Sequence, residues 1–153
     1  VNRLREITKI ARNLSTYKNG LEKKPLPAFS YETIRLVVKH PGVNASFLAQ
    51  RTNVDKSLVS RTVSSLIKEE YLTAQPDKDD KRSKKLYPTQ KATTLKLNNE
   101  AEEDVFYNFL EGKIPPEDKD AFYRALDVIY LESKTLRHNR FEELKNDEKH
   151  QDK

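Results

Sequence analysis

Residues 47–72 read FLAQRTNVDKSLVSRTVSSLIKEEYL, and within them Ala49, Asn53 and Val59 stand four and then six positions apart. A helix-turn-helix needs a small residue, a turn residue and a branched apolar plug at this spacing. The alanine lets two helices approach closely, and the turn residue must accept a positive φ, which asparagine tolerates better than most residues. Asp55 then offers its carboxylate to the free amides that open the second helix. At about 100° per residue, Val59, Val63, Leu66 and Ile67 fall on one side of that helix, while Ser57, Ser60, Arg61, Ser64 and Lys68 gather on the other.

That outer side contains no acid. A face selected only for solubility mixes signs and long side chains, whereas this one has small hydroxyls, which permit close approach, and two cations. It suits entry into a major groove, with Arg61 available for guanine edges and the serines for phosphates or bases. Lys56, at the helix start, joins the same expected DNA-binding set.

Directly downstream, residues 72–75 and 84–87 carry strand formers and are separated by the charged run DKDDKRSKK, Asp77–Lys85. This predicts a β-hairpin with a long tip. A helix-turn-helix followed by such a hairpin is a winged helix, and a basic wing tip reaches the minor groove beside the major-groove footprint. Lys81 and Arg82 lie at the tip, with Lys84 and Lys85 behind them. The acids Asp77, Asp79 and Asp80 would repel phosphate if left free, so at least one is expected to be tied up internally. Asp80 is assigned to pair with the Arg82 side chain and pre-orient its guanidinium.

Outward from this unit the chain reads as helix. Leu4, Ile7, Ile10, Ala11 and Leu14 recur at three-and-four spacing in a helix ending near Gly20, followed by a linker at Lys24-Pro25-Leu26-Pro27. Ser30 is read as the cap of the next helix, which His40-Pro41-Gly42 stops, and Asn44 as the cap of a short helix through Arg51. Thr89 is read as the cap of a long helix ended by Gly112. Pro115-Pro116-Glu117-Asp118 starts the last helix, whose apolar residues continue at helical spacing through Leu136 to Leu144. The residues after Asn146 are almost wholly polar and read as a disordered tail.

Composition sets the outer bounds. With 153 residues, 35% of them hydrophobic and 35% charged, the chain is too polar for a large buried core, and part of its core is expected from a second copy. A formal net charge of +5 points to a polyanionic partner. The absence of cysteine excludes disulfides and thiolate metal sites. No apolar run reaches the roughly 20 residues needed to cross a bilayer, so a soluble cytoplasmic protein without membrane association is expected. His40, His138 and His150 have no metal-ligand spacing, no nucleophile beside them and no Gly-rich phosphate loop nearby, which argues against an enzyme, a bound metal or a cofactor.

The stretch from Phe29 to Ala92 resembles the MarR (multiple antibiotic resistance regulator) family of transcription regulators. The resemblance is carried by LVVKHPGVNASFLAQRTNVDKSLVSRTVSSLIKEEYL and by the wing run Asp80-Lys81-Arg82-Ser83-Lys84-Lys85-Leu86, with Thr89 and Lys91 closing it. It implies a mainly α fold with a small β-hairpin wing: a winged helix-turn-helix at 29–89 between an N-terminal dimerisation helix and linker at 1–28 and C-terminal dimerisation helices at 90–146, with the tail at 147–153. It further implies a homodimer binding double-stranded DNA at a palindromic operator, its two recognition helices about 34–36 Å apart, and acting as a repressor released by a small-molecule effector. Three positions depart from the family pattern: Glu70 stands where glycine is common, Pro88 where leucine is usual and Ala92 where glycine is usual. Two alternatives differ in one observable each. A protein-interaction module would lack steep salt dependence on duplex, and a sequence-indifferent architectural binder would be competed equally by any DNA.

Overall fold

The computed structural model describes residues 2–21 and 26–145. Lys24 and Pro25 of the linker, the tail at 147–153 and His150 lie outside the described residues. The chain divides into two compact units, Val1–Tyr107 and Asn108–Lys153.

The first unit begins with α1 (Arg5–Gly20), of which only Leu14 is buried. Helix α2 (Ala28–Lys39), with Pro27 at its N-cap, starts three residues earlier than a Ser30 cap would place it. Pro27, at φ −59° and ψ 152°, has no amide to satisfy and turns the chain directly into the helix. Ser30 is therefore inside the first turn and buried.

Helices α3 (Ala45–Thr52) and α4 (Lys56–Lys68) form the helix-turn-helix. Asn53 adopts the left-handed conformation the spacing demands, at φ 53° and ψ 39°, and its amide donates to Ala49 O. The two caps are as the sequence implies: Asn44 Oδ1 accepts from Phe47 N at 2.9 Å and Asp55 Oδ1 from Ser57 N at 2.8 Å. Val59, Val63 and Leu66 of α4 are buried with Ile34, Leu36 and Val37 of α2, Leu48 and Ala49 of α3, and Ala92.

Strands β1 (Leu72–Pro76) and β2 (Lys84–Pro88) pair antiparallel with Leu72 opposite Pro88 and Pro76 opposite Lys84. The two prolines sit at strand ends, where the lost donors cost the ladder least. Gly42 N donates to Leu86 O at 2.7 Å and Leu86 N to Val43 O at 2.8 Å, so the α2–α3 turn adds a third edge to the wing. Gly42 itself has φ 89° and lies against the Tyr87 ring.

Between α4 and β1 the chain reverses through Glu70, whose φ is 62°. This is the position where the resemblance leads one to expect glycine, and the backbone geometry supplies the reason. Helix α5 (Gln90–Glu111) is joined to the same corner. Thr89 Oγ1 donates to Glu70 O (2.7 Å) and Tyr71 O (3.0 Å), while Lys91 Nζ donates to Glu69 O (2.7 Å) and lies 4.1 Å from the centre of the Tyr71 ring. On α1, Lys18 is ion-paired with Glu103 of α5, and Tyr17 stacks on Phe106 at 5.8 Å.

In the second unit α6 (Pro116–His138) opens as the Pro-Pro-Glu-Asp run implies, with Pro115 at its N-cap. It ends at His138, short of Leu144. Arg140 and Phe141 take φ values of 54° and 61°, and Phe141 N turns back to Leu136 O at 2.8 Å, which closes the helix without a glycine to mark the spot. None of its residues is buried, and Phe122, Leu126, Val128, Tyr130 and Leu131 are all exposed.

Placing a non-glycine residue in the left-handed region strains the backbone, so Glu70→Gly is expected to raise stability by roughly 0.5–1 kcal/mol after the extra entropy of the unfolded glycine is counted. Urea unfolding of the two proteins, with an unchanged slope and a higher midpoint for the variant, checks this.

Candidate nucleic-acid interface

Because the apolar period of α4 turns Val59, Val63 and Leu66 inward, its other side is presented to solvent. Lys56, Ser57, Ser60, Arg61, Ser64 and Lys68 are all exposed, and no Asp or Glu lies within the helix. Ser57 is also part of the cap, since its hydroxyl donates to Asp55 Oδ1. Two features of this face were not anticipated. Leu58 is 40% exposed beside the serines, and Ser65 is bonded to Glu69 at 2.7 Å rather than free. On a helical wheel Leu58 stands about 100° from Val59, outside the arc of Val59, Val63 and Leu66, so its exposure follows from the same periodicity.

The cap acid has an altered titration. The Ser57 hydroxyl first, and the Ser57 and Leu58 amides after it, hold the Asp55 carboxyl below the ordinary aspartate range. The group thus remains ionised at the positive end of α4.

At the wing tip Asp80, Lys81 and Arg82 are exposed, as is Lys84. Two of the three acids, Asp77 and Asp80, are engaged internally, and Asp80 not in the expected way. Asp80 Oδ1 accepts from the backbone amide of Arg82 at 2.9 Å, and among the described residues no Asp80–Arg82 ion pair is formed. A carboxylate two residues upstream of an amide closes a local turn with almost no loss of side-chain freedom, whereas fixing a long guanidinium beside it costs more. The Arg82 side chain therefore projects from a fixed backbone instead of being held by its neighbour.

Asp77 accepts from Asp79 N at 2.9 Å and pairs with Lys85 Nζ at 3.5 Å. The amide bond leads in holding its carboxyl below the usual range. Lys85 is thereby half-buried and partly neutralised, unlike the other three wing cations assigned from sequence. The base of the tip is closed by Ser83, whose amide donates to Asp80 O and whose carbonyl accepts from Asp77 N.

A hollow of about 810 Å³ lies between α1, α2 and α5, lined among others by Leu14, Lys18, Leu26, Tyr31, Arg35 and Glu103. Tyr31 lines it, Tyr17 stacks on Phe106, and Tyr107 packs edge-on against Phe106 at 5.7 Å. Among the described residues no group of three or more His, Cys, Asp or Glu is placed to hold a metal ion, and no helix is long and apolar enough to cross a membrane.

Residues 27–83 match the MarR family. The chain is 34% identical over 90 residues to an uncharacterised HTH-type transcriptional regulator, YybA, of Bacillus subtilis (strain 168); the match covers 58% of this chain and 59% of that one. The chain thus spans about three-fifths of the length of the curated relative it matches. Among solved structures it is similar to a MarR protein from Peptoclostridium difficile DA00132, at 25% identity and a TM-score of 0.64 over 92% of this chain and 91% of the other. It shares its fold with Streptococcus pneumoniae FabT, solved in complex with DNA, at 18% identity and a TM-score of 0.69 over 86% of this chain and 95% of that one.

The lowered Asp55 value has a sign that can be checked. An acid whose folded pKa is depressed contributes stability above its unfolded value, about 3.9, and loses it as pH falls through the folded value. Asp55→Asn keeps an accepting oxygen but no charge. The stability advantage of the unsubstituted protein over this variant is therefore expected to be full at neutral pH and to be lost as pH falls through the depressed folded value, as read from urea midpoints along a pH series.

Proposed function

We propose, from the premise that the winged helix of this chain belongs to the MarR family, that the protein is a sequence-specific DNA-binding transcription regulator acting in the cytoplasm as a homodimer on a palindromic operator. The observation that carries this reading is the pairing of an acid-free, hydroxyl-and-cation face on α4 with an exposed arginine on the adjacent hairpin. Small hydroxyls let α4 seat deeply in a major groove, where Arg61 addresses guanine edges while Lys56 and Lys68 meet phosphates. The exposed Leu58 is suited to a thymine methyl. Arg82 and Lys81 enter the neighbouring minor groove, with Lys84 against the backbone.

Homodimerisation is supported by the apolar side chains left uncovered on the long helices. Leu4 at the N-cap of α1 and Ile7 and Ile10 within it are exposed, and Val128 and Leu131 of α6 are 60% and 56% exposed. Charged and apolar residues alternate here as on helices that bury one stripe against a partner. The role is that of a repressor, released when a small ligand occupies the hollow lined by Lys18, Tyr31 and Arg35, whose volume suits a ligand of drug size.

Arg82→Ala is expected to weaken binding to a selected duplex without lowering the unfolding midpoint. Arg61→Ala is expected to weaken the selected sequence by about 1–3 kcal/mol and leave random duplex nearly unaffected. Titrations by fluorescence anisotropy over a salt series measure both. Equal losses on all sequences would leave α4 as a phosphate-contacting element, and a flat salt dependence would favour the protein-interaction module.

The joint replacement Val128→Glu and Leu131→Glu is expected to convert a dimer into a monomer in sedimentation velocity. Unchanged sedimentation would remove α6 from the dimer interface.

A further inference from the structure

The wing is held to the α2–α3 turn at two levels. Near its base the bonds between Gly42, Val43 and Leu86 are made by backbone atoms and are available to almost any sequence. Roughly 10 Å farther toward the tip, at about 3.3 Å per residue, the connection is made by side chains: Asn44 Nδ2 donates to Ser83 Oγ at 3.2 Å. The same amide group uses its other end to cap α3, with Oδ1 accepting from Phe47 N at 2.9 Å. Rotating the amide by 180° would break both bonds, so one orientation serves both ends.

Ser83 is the residue next to Arg82 and is itself fixed on both sides, by Ser83 N donating to Asp80 O at 2.9 Å and Asp77 N donating to Ser83 O at 3.1 Å. The Arg82 amide is in turn bonded to Asp80 Oδ1. A continuous set of short bonds thus runs from the start of α3 to the backbone of Arg82. In contrast, among the described residues the Arg82 guanidinium has no ion-pair partner, so the location of that backbone decides where the charge can reach.

We infer that Asn44 is a positioning residue for the wing: it sets where Arg82 stands relative to α4, and therefore the spacing between the major-groove bases and the minor-groove segment that one protomer engages. The inference rests on the DNA-binding reading given above, and its test separates the two.

Asn44→Ser keeps a hydroxyl to cap α3 but has no second arm to reach Ser83, and Ser83→Ala removes the acceptor while leaving the cap. Hydrogen exchange of the DNA-free protein is the first arm. Both variants are expected to lose protection at the Arg82 and Ser83 amides with α3 and α4 unchanged, and Asn44→Asp, which can accept from the Ser83 hydroxyl, is expected to retain it. The second arm uses a duplex selected from a random pool by the unsubstituted protein and a shortened form lacking the wing's segment. Each variant is expected to bind the full duplex about three- to tenfold more weakly, the pair together no more weakly than either alone, and the shortened duplex as well as the unsubstituted protein does.

In an Arg82→Ala background the Asn44→Ser effect on the full duplex is expected to disappear. Unchanged wing protection, or equal losses on full and shortened duplex, overturns the inference while leaving the DNA-binding reading intact. If the unsubstituted protein binds no duplex, the DNA-binding reading falls and takes with it the assigned spacing role, whatever the exchange arm shows.

Discussion

The buried stripe of α4 is the constraint from which the rest of the winged helix follows. Val59, Val63 and Leu66 are removed from water against α2 and α3, and losing a buried leucine of this kind costs about 2–5 kcal/mol. A helix with one such stripe has no freedom to rotate about its axis. The side carrying Ser60, Arg61 and Ser64 is consequently fixed in direction by the residues buried on the opposite side. The turn preceding it is equally determined, because the close approach at Ala49 and the left-handed Asn53 leave little latitude in the angle between α3 and α4.

The wing solves a different problem. A short hairpin with a tip rich in both charges cannot be stiffened by a core, and its strands offer only ten residues of pairing. Its rigidity comes from carboxylates that accept main-chain amides at Asp77 and Asp80, and from the shared edge at Val43 and Leu86. These acids lower the net positive charge of the tip, but they are spent on backbone atoms and so do not stand free against phosphate. The cations that remain outermost, Lys81, Arg82 and Lys84, are carried on a frame whose shape is set by their acidic neighbours.

What could be read from the sequence divides along the range of the interaction. Asn44, Asn53 and Asp55 were legible because each acts on residues two to four positions away, where helix geometry leaves one arrangement. The division of α4 into two faces was legible from periodicity for the same reason. Ser30 misled because Pro27, three residues earlier, already begins α2. The Asp80 partner misled because an amide and a guanidinium of the same residue lie within reach, and only the cost of ordering the longer group distinguishes them. The end of α6 was hidden because Arg140 and Phe141 adopt positive φ with no glycine to signal it. The Asn44–Ser83 bond spans 39 positions, a separation at which no local pattern survives. The exposed leucine at position 58 lies about 100° from Val59 on the helical wheel, outside the buried stripe, so the periodicity carried its signal although its apolar type argued the other way.

The corner where α4 ends and α5 begins behaves mechanically as a welded joint. Thr89 fastens to the carbonyls of Glu70 and Tyr71, and Lys91 both reaches the Glu69 carbonyl and presses on the Tyr71 ring. Torque applied to the first turn of α5 is delivered to the last turn of α4 with little play, because no freely rotating linker intervenes. A substitution that tilts α5 therefore re-aims the serine-bearing face as well, and sequence drift at either element is constrained by the other.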